Sequence, residues 1–225
     1  RGSRAASAGG DRHAEPGDSD YKRKLRHLAY PTREAGGVVY AYLGATEQQP
    51  IFPNYEWTQV PLEFTYATKS LLECNYLQGL EGECDSSHLS FLHRAFNRDG
   101  NQPLYQADAS PAYETDDPDF GVRLIATRKA SNQQQYVRVS SFVMPVYGCS
   151  RAGRGAGELD GYEIHTYVPA DDTHCRRYDM GLRRSRPARA AEEHRRKQIN
   201  PDYTRSRNAR NNYLQDRQVQ KTQTF

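Results

Sequence analysis

The chain has 225 residues, with 31 Lys and Arg against 28 Asp and Glu, and a formal net charge of +3. A charge balance this weak excludes electrostatics as the main clue to function. The hydrophobic share of 36% lies below the roughly 45% of ordinary soluble domains. No apolar run approaches the roughly 18 residues of a membrane span, so we predict no membrane segment.

The first residues, 1–20, are Gly, Ala, Ser and charged residues without hydrophobic periodicity. They lack the apolar stretch of a signal peptide, and we predict a disordered or foreign leader there. The whole chain has the length of one large domain, or one and a half.

The four cysteines form no CxxC or CxxH pair. This spacing excludes a Cys-type zinc finger and an iron–sulfur cluster held by local pairs. Without an export signal we predict reduced thiols and a cytoplasmic protein. Nothing favours a disulfide between Cys149 and Cys175, and burial as small apolar groups is the better interpretation.

The first half of the chain predicts strands and then helices. The strands are expected at 38–43 and 63–68, and the helical pieces at about 69–82 and 85–96. Leu72, Tyr76 and Leu80 recur at four-residue spacing, which is typical of one helix face. The strand at 38–43 is apolar, rich in β-formers and followed by Gly44.

The second half predicts an antiparallel meander. Polar and apolar residues alternate at 120–129, 134–148 and 160–169, with turns rich in Asn, Gly, Asp and Pro between them. Strands joined by short turns pair antiparallel. Because the helices are grouped apart from these strands, the predicted class is α+β. After Pro187 a charged segment could form an exposed helix.

Two carboxylates and two imidazoles lie close together in the predicted helical region. They are Glu81, Asp85, His88 and His93. On a helix the first three share one stripe. His93 is five residues after His88, so the two rings converge only where the helix opens or breaks. Two imidazoles and one carboxylate form the facial triad of non-heme Fe(II) oxygenases. A salt-bridged, solvated helix with two surface histidines explains the same spacing.

The stretch CNYLQGLEGECDSSHLSFLHR (74–94) resembles the iron-binding signature of Rieske non-heme iron ring-hydroxylating oxygenases, in their large (alpha) subunit. It is most similar to the phthalate 4,5-dioxygenase-like group. Segment 29–44 resembles the join between the family's Rieske and catalytic domains, and segments 168–179 and 213–225 resemble later parts of its catalytic domain. The resemblance therefore covers about residues 20–225 and identifies residues 21–225 as a partial catalytic domain.

The resemblance implies roles for the clustered residues. His88 and His93 match the two iron ligands, and Asp85 matches the acid that bridges the iron to the Rieske cluster of a neighbouring subunit. Glu81 and Asn75 match positions that orient this shell, and a plain capping role fits them equally well. The third ligand, a carboxylate, is expected beyond Phe225. Asp216 and Asp202 are the acids in the sequence that we disfavour as this ligand.

The fold and partners implied by the resemblance go further than the motif. The expected fold is the helix-grip (START/Bet v 1-like) type, an antiparallel sheet with flanking helices. The intact family carries an N-terminal Rieske domain with a [2Fe-2S] cluster, which we do not expect this chain to bind. Electrons come from an NAD(P)H-dependent reductase, O2 and an aromatic compound are the substrates, and a homotrimer is implied. Phe142, Met144 and Tyr147 are candidates for the substrate pocket.

Two other functions remain open at this point. The helix-grip fold is shared with ligand-binding proteins, so the chain could be a non-enzymatic module for an apolar ligand. Residues 183–210 hold ten Arg or Lys, which raises nucleic-acid binding. Tyr203 is the single aromatic residue among them and no groove-reading motif is present. We therefore expect a solvated charged face and no nucleic-acid partner.

Overall fold

The structure is a computed structural model that describes residues 29–92, 108–130, 133–151, 160–188 and 190–211. The chain divides into two compact units, Arg1–Val60 and Pro61–Phe225. Among the described residues, no helix combines the length and the apolar character that crossing a membrane requires.

The first unit contains a hairpin of strands β1 (Thr32–Ala35) and β2 (Val38–Ala41). Gly36 and Gly37 form its two-residue turn with φ angles of +57° and +77°, a conformation that glycine adopts without steric cost. The strand predicted at 38–43 is thus confirmed in its first four residues. Further along, the rings of Tyr55 and Trp57 stack with centroids 4.3 Å apart.

The second unit is built on a seven-stranded antiparallel sheet with the order β3-β9-β8-β7-β6-β5-β4. The strands are β3 (Thr65–Leu72), β4 (Ala112–Asp116), β5 (Gly121–Lys129), β6 (Gln135–Val143), β7 (Tyr147–Arg151), β8 (Tyr162–Pro169) and β9 (Cys175–Leu182). Strands β4 to β9 pair with their neighbours in sequence, as a meander does, and the predicted antiparallel meander is confirmed. Strand β3 joins this meander by pairing with β9.

Within the described residues two α-helices accompany the sheet, so the predicted α+β class is confirmed. Helix α1 (Tyr76–Cys84) packs across β6, β7 and β8, and helix α2 (Ala190–Arg196) packs near β3. Leu80 of α1 is buried against Tyr167 and Cys175 of the sheet. The arrangement is a helix laid on one face of an antiparallel sheet, as the helix-grip prediction requires. Helix α2 confirms the predicted helix after Pro187.

The helical prediction for 69–82 was wrong over its first residues. Residues up to Leu72 belong to β3, and the helix begins only at Tyr76. The reason is long-range pairing, because Leu72 lies opposite Cys175 of β9 and no local pattern reports that contact. The second piece, 85–96, contains a short 3-10 turn at Ser87–Ser90 in place of a helix. Its residues after Leu92 lie outside the described part of the chain.

The strand predicted at 134–148 is two strands. Strand β6 ends at Val143 and β7 starts at Tyr147, with Pro145 in the turn between them. Proline has no backbone N–H to donate to a ladder.

All four cysteines are free thiols. Cys149 lies opposite Ile164 of β8, and Cys175 lies opposite Pro169 of the same strand. Because Ile164 and Pro169 are about 17 Å apart along β8, the two cysteines are too far apart to form a disulfide.

Candidate active site

Asp85 and His88 lie in the turn that ends helix α1. The helix stops at Cys84, and Asp85 takes an extended conformation before the 3-10 turn Ser87–Ser90. The Asp85 carboxylate accepts hydrogen bonds from the backbone N–H of Ser87 at 2.7 Å and of His88 at 3.3 Å. Aspartate is favoured at such a position because its side chain satisfies the first amides of the turn.

The same carboxylate contacts the imidazole of His88. Asp85 Oδ2 lies 3.4 Å from His88 Nδ1, which favours the tautomer with the proton on Nδ1. In that tautomer Nε2 carries the lone pair, as a metal-ligating histidine requires. His93 lies outside the described residues, so the predicted pair of histidine ligands stays a prediction.

A cavity of about 650 Å³ opens beside this turn. His88 and Asp85 lie at its wall, together with polar and charged side chains of the sheet. These are Arg138 of β6, Ser150 of β7, Glu163, His165 and Tyr167 of β8, and Arg177 of β9, with Glu83 from α1. The volume falls in the range of small-molecule sites, and Leu72, Leu89 and Leu92 also contribute apolar side chains to the lining.

Glu81 and Asn75 lie on α1 in capping and surface positions. Asn75 is the N-cap residue, where its side chain accepts a hydrogen bond from Leu77 N at 2.9 Å and donates one to the Asp172 carbonyl at 3.1 Å. Glu81 is exposed and accepts a 2.9 Å hydrogen bond from Gln78. The contacts of Asn75 fit the capping interpretation, whereas the contact of Glu81 is a side-chain hydrogen bond on the helix surface. An orienting role of either residue at an iron site stays a prediction.

The three residues predicted to line a substrate pocket lie elsewhere, with Phe142 in β6, Tyr147 in β7 and Met144 in the turn between these strands. None of Phe142, Met144 and Tyr147 is among the residues that line the cavity beside His88. Phe142 packs against the buried cluster of Leu80, Tyr167 and Cys175. Met144 is 57% exposed. The structure gives this part of the prediction no support.

Asp202, one of the two disfavoured acids, is in a surface turn. Its carboxylate accepts hydrogen bonds from Thr204 N at 3.0 Å and from Thr204 Oγ1 at 2.7 Å. It lines a different cavity from that of His88. Asp216 lies outside the described residues.

Sequence reasoning missed a buried ionic cluster beneath α1. His165 is at its centre, with Nδ1 2.7 Å from Glu83 Oε1 and Nε2 3.3 Å from Asp179 Oδ1. Arg177 lies between the same two acids, 2.7 Å from Asp179 and 3.4 Å from Glu83. Lys197 Nζ is 3.1 Å from Asp179 Oδ2. His165 Nδ1 lies close to Glu83, and Lys197 Nζ lies close to Asp179. Neither of these two contacts has the geometry of a hydrogen bond.

The cluster keeps its acids ionised. Burial by itself would raise the pKa of Glu83, but contact with His165, the charge of Arg177 and a 2.6 Å hydrogen bond from Tyr167 lower it to about 2. Asp179 is fully buried, and the charges of Arg177, His165 and Lys197 overcome its burial and lower its pKa.

A sequence signal for this cluster exists in the strand pattern. Glu163, His165 and Tyr167 occupy every second position of β8, and Arg177 and Asp179 do the same in β9. Alternate positions share one face of a strand. The alternation predicts only a strand at 160–169, and in the structure this polar stripe faces α1 and the cavity.

The residues present fit a metal ion only in part. Within the described part of the chain, no group of three or more His, Cys, Asp and Glu is placed to hold one. At this cavity the described residues offer one suitable donor, the His88 imidazole, whose Nδ1 lies 3.4 Å from Asp85 Oδ2. This donor fits one ligand position of a non-heme Fe(II) site, whose other ligands would come from outside the described residues.

Comparison with known proteins places this geometry in a family. The family described as "LigXa C-terminal domain like" matches residues 41–225. The phthalate 4,5-dioxygenase oxygenase subunit of Pseudomonas putida is 29% identical over 94% of this chain and 52% of its own length. The 3-chlorobenzoate-3,4-dioxygenase oxygenase subunit of Comamonas testosteroni is 29% identical over 70% of this chain and 37% of its own length.

Among solved structures, the terminal oxygenase of carbazole 1,9a-dioxygenase from Nocardioides aromaticivorans IC177 has a TM-score of 0.49 at 16% identity, over 94% of this chain and 67% of its own. The chain spans about half the length of the phthalate dioxygenase subunit and less of the chlorobenzoate one. The family match covers most of the chain, including α1, the turn with His88 and the sheet below it. The chain belongs to the LigXa C-terminal-domain-like family.

Proposed function

We propose that this chain is the mononuclear-iron catalytic part of an oxygenase that hydroxylates an aromatic ring or removes an O-methyl group from one. The observation that carries the proposal is the His88 imidazole at the wall of a cavity of about 650 Å³, with Nδ1 against Asp85. Two similar proteins support ring hydroxylation and O-demethylation as the chemistry. They are named as the oxygenase subunits of a phthalate 4,5-dioxygenase and of a 5,5'-dehydrodivanillate O-demethylase.

His88 and His93 would hold ferrous iron in this proposal, with a carboxylate expected beyond Phe225 as the third ligand. When bound, the ferrous ion would supply the centre that activates O2 for attack on the substrate. Asp85 lies against Nδ1 of His88, which favours the ring orientation that presents Nε2 to the metal.

Asp85 also has the exposure that an electron-transfer bridge needs. Its carboxylate is 47% exposed while it contacts His88, so one group faces both the imidazole and the surface. In the proposed assembly this surface meets the [2Fe-2S] cluster of a neighbouring subunit in a homotrimer.

The electrons come from an NAD(P)H-dependent reductase, and the protein works in the cytoplasm. The four free thiols are consistent with that compartment.

The substrate in this proposal is an aromatic compound with an acidic group. Arg138 lines the cavity, and no ion pair to it is found within the described part of the chain. Arg177 is different, because Glu83 and Asp179 already neutralise it. A carboxylate on the ring would satisfy Arg138, since arginine binds carboxylates in a two-pronged geometry. Two relatives are named for aromatic carboxylates, phthalate and 3-chlorobenzoate.

Metal titration tests the proposal. The chain, kept anaerobic, is titrated with Fe(II), and we expect binding that disappears in His88→Ala. His174→Ala is a matched control, because Asp171 and His174 form the same pair at i, i+3, with Nδ1 3.0 Å from Oδ1, at a different cavity. Equal loss of iron in both variants, or retention in His88→Ala, would contradict the assignment.

The apolar-ligand alternative has support from part of the cavity lining, where Leu72, Leu89 and Leu92 lie. Glu83, Arg138, His165 and Arg177 also line the cavity, and burying an apolar ligand against charged groups is costly. Binding of a neutral aromatic hydrocarbon with the same affinity in the presence and absence of Fe(II) would favour this alternative.

A further inference from the structure

Arg128, near the end of β5, is fully buried and directed at the turn that carries His88. Its Nη1 donates to Ser86 Oγ at 2.9 Å, its Nη2 donates to the Ser86 carbonyl at 2.5 Å, and its Nε donates to the Asp108 carbonyl at 3.0 Å. Within the described residues no ion pair to this guanidinium is found. Burying a cation against uncharged oxygens is costly, so the arrangement points to a role other than simple stability.

The turn is held on both sides of His88. Ser86, two residues before His88, accepts hydrogen bonds from Arg128. Ser90, two residues after it, donates from Oγ to the Asp108 carbonyl at 3.2 Å, the same oxygen that accepts from Arg128. Both serines are buried, at 3% and 5% exposure. The turn is therefore anchored on each side of the imidazole to the same two groups, the Arg128 guanidinium and the Asp108 carbonyl that it contacts.

A second side chain of the sheet supports the same turn. The hydroxyl of Tyr113, on β4, accepts a hydrogen bond from Ser86 N at 3.1 Å and shares another with Ser87 Oγ at 2.9 Å. Tyr113 and Arg128 come from adjacent strands. The N–H, the carbonyl and the hydroxyl of Ser86 are all bonded to the sheet.

Such support matters because a 3-10 turn is short and has poorer hydrogen-bond geometry than an α-helix. A metal-binding imidazole must be held to within about 0.5 Å, and a four-residue turn cannot supply that order by itself. We propose that Arg128 is a positioning residue, which fixes the direction of the His88 ring by anchoring Ser86 and, through Asp108, Ser90. The inference rests on the proposed function of His88 as a metal ligand.

The test compares two arginines of one strand. Arg128→Gln removes the guanidinium, Arg128→Lys keeps the charge with one point of contact, and Arg123→Gln removes an exposed arginine paired with Asp116 at 2.7 Å. Co(II) is the probe, followed by its visible absorption. We expect Arg128→Gln to bind Co(II) about 10-fold or more weakly, Arg128→Lys to lie between, and Arg123→Gln to match the unaltered chain.

Amide hydrogen exchange separates positioning from general destabilisation. In Arg128→Gln we expect faster exchange in the peptide 85–92 and unchanged protection in β8 and β9. Cobalt affinity equal to that of Arg123→Gln in a folded Arg128→Gln variant would overturn the inference, as would faster exchange spread through the whole sheet.

Two further variants keep the outcomes distinct. If His88→Ala binds Co(II) like the unaltered chain, the proposed function fails, and the exchange of 85–92 alone then decides whether Arg128 anchors the turn. If Arg128→Gln does not fold, Tyr113→Phe replaces it. We expect weaker cobalt binding in that variant too, and unchanged affinity there would overturn the inference.

Discussion

The hydroxyl of Tyr167 donates a 2.6 Å hydrogen bond to Glu83 Oε1 and so joins the sheet to helix α1. Tyr167 is 2% exposed, and its ring packs against Leu80 on the same helix. One side chain thus provides both an apolar contact and a hydrogen bond to an ionised group beneath the helix that leads to His88.

Replacing Tyr167 by Phe removes only the hydroxyl. We expect a loss of about 1.5–3 kcal/mol in the free energy of unfolding, the usual worth of a hydrogen bond to a charged group. Chemical denaturation measures it. Tyr178→Phe is the control, because within the described residues no hydrogen bond of the Tyr178 hydroxyl is found. Equal stability of the two variants would contradict this prediction.

Two glycines of α1 should respond in opposite ways to alanine. A Cβ at Gly79 would lie 2.3 Å from Cε1 of Tyr167, while one at Gly82 meets nothing within 4 Å. Gly79→Ala must displace the Tyr167 ring, and we expect it to destabilise by about 1–3 kcal/mol. Gly82→Ala should stabilise by about 0.5–1 kcal/mol, because alanine favours the helix.

Thermal unfolding of the two alanine variants checks the pair directly. Because both substitutions gain the same helix propensity, their difference reports the contact with Tyr167. A Gly79→Ala variant as stable as Gly82→Ala would show that α1 does not lie this close to the sheet.

Stability should depend on pH through Glu83. The folded state lowers its pKa from 4.5 to about 2, so the unfolded chain takes up the proton first as the pH falls. The ionised group therefore stabilises the fold above about pH 5, and this contribution, about 3 kcal/mol, is lost between about pH 5 and pH 2.

Denaturant unfolding at a series of pH values measures this contribution. Glu83→Gln should be much less stable than the unaltered chain at pH 7, and the difference should shrink toward pH 2. Glu81→Gln changes an exposed carboxylate of the same helix and should alter stability little at any pH. A constant difference between Glu83→Gln and the unaltered chain across this range would be inconsistent with the expected ionisation.

Two thiols should be slow to react in the folded chain. Burial, followed by the charge of Glu83, raises the pKa of Cys149 to about 11. Burial, followed by Cys74, raises the pKa of Cys175 to about 11 as well. At pH 8 the thiolate fraction falls about 100-fold relative to an ordinary cysteine. Reaction with a disulfide reagent should reach all four thiols only after unfolding, and four equally fast thiols in the folded chain would contradict this.

The fold could be predicted from the sequence where the pattern is local. Residues 120–129 and 160–169 alternate in polarity and form β5 and β8. The boundary between β3 and α1 was missed, since Leu72, Tyr76 and Leu80 keep a helical spacing across it. Only the pairing of Leu72 with Cys175 shows that the first of them is in a strand.

The candidate site could be predicted only around its motif. Asp85 and His88 are neighbours in sequence, so their contact follows from a short turn. Glu83, His165 and Asp179 meet because α1 crosses β8 and β9 in space, and no spacing in the sequence encodes that crossing. Arg128 was missed for the same reason, since a lone arginine in a strand resembles any surface cation.

The pairing of β3 with β9 has a consequence for synthesis on the ribosome. Strand β3 is made first in the second unit, while its partner β9 is made after all the meander strands between them. Hairpins among β4 to β8 can close as they emerge, because their contacts are local. Helix α1 follows β3 in the chain, and Leu80 of this helix packs against Cys175 of β9. The surface that α1 covers is therefore complete only after β9 has been made. The nascent polypeptide should therefore assemble the ionic cluster of Glu83, His165 and Asp179 only after β9 has been made.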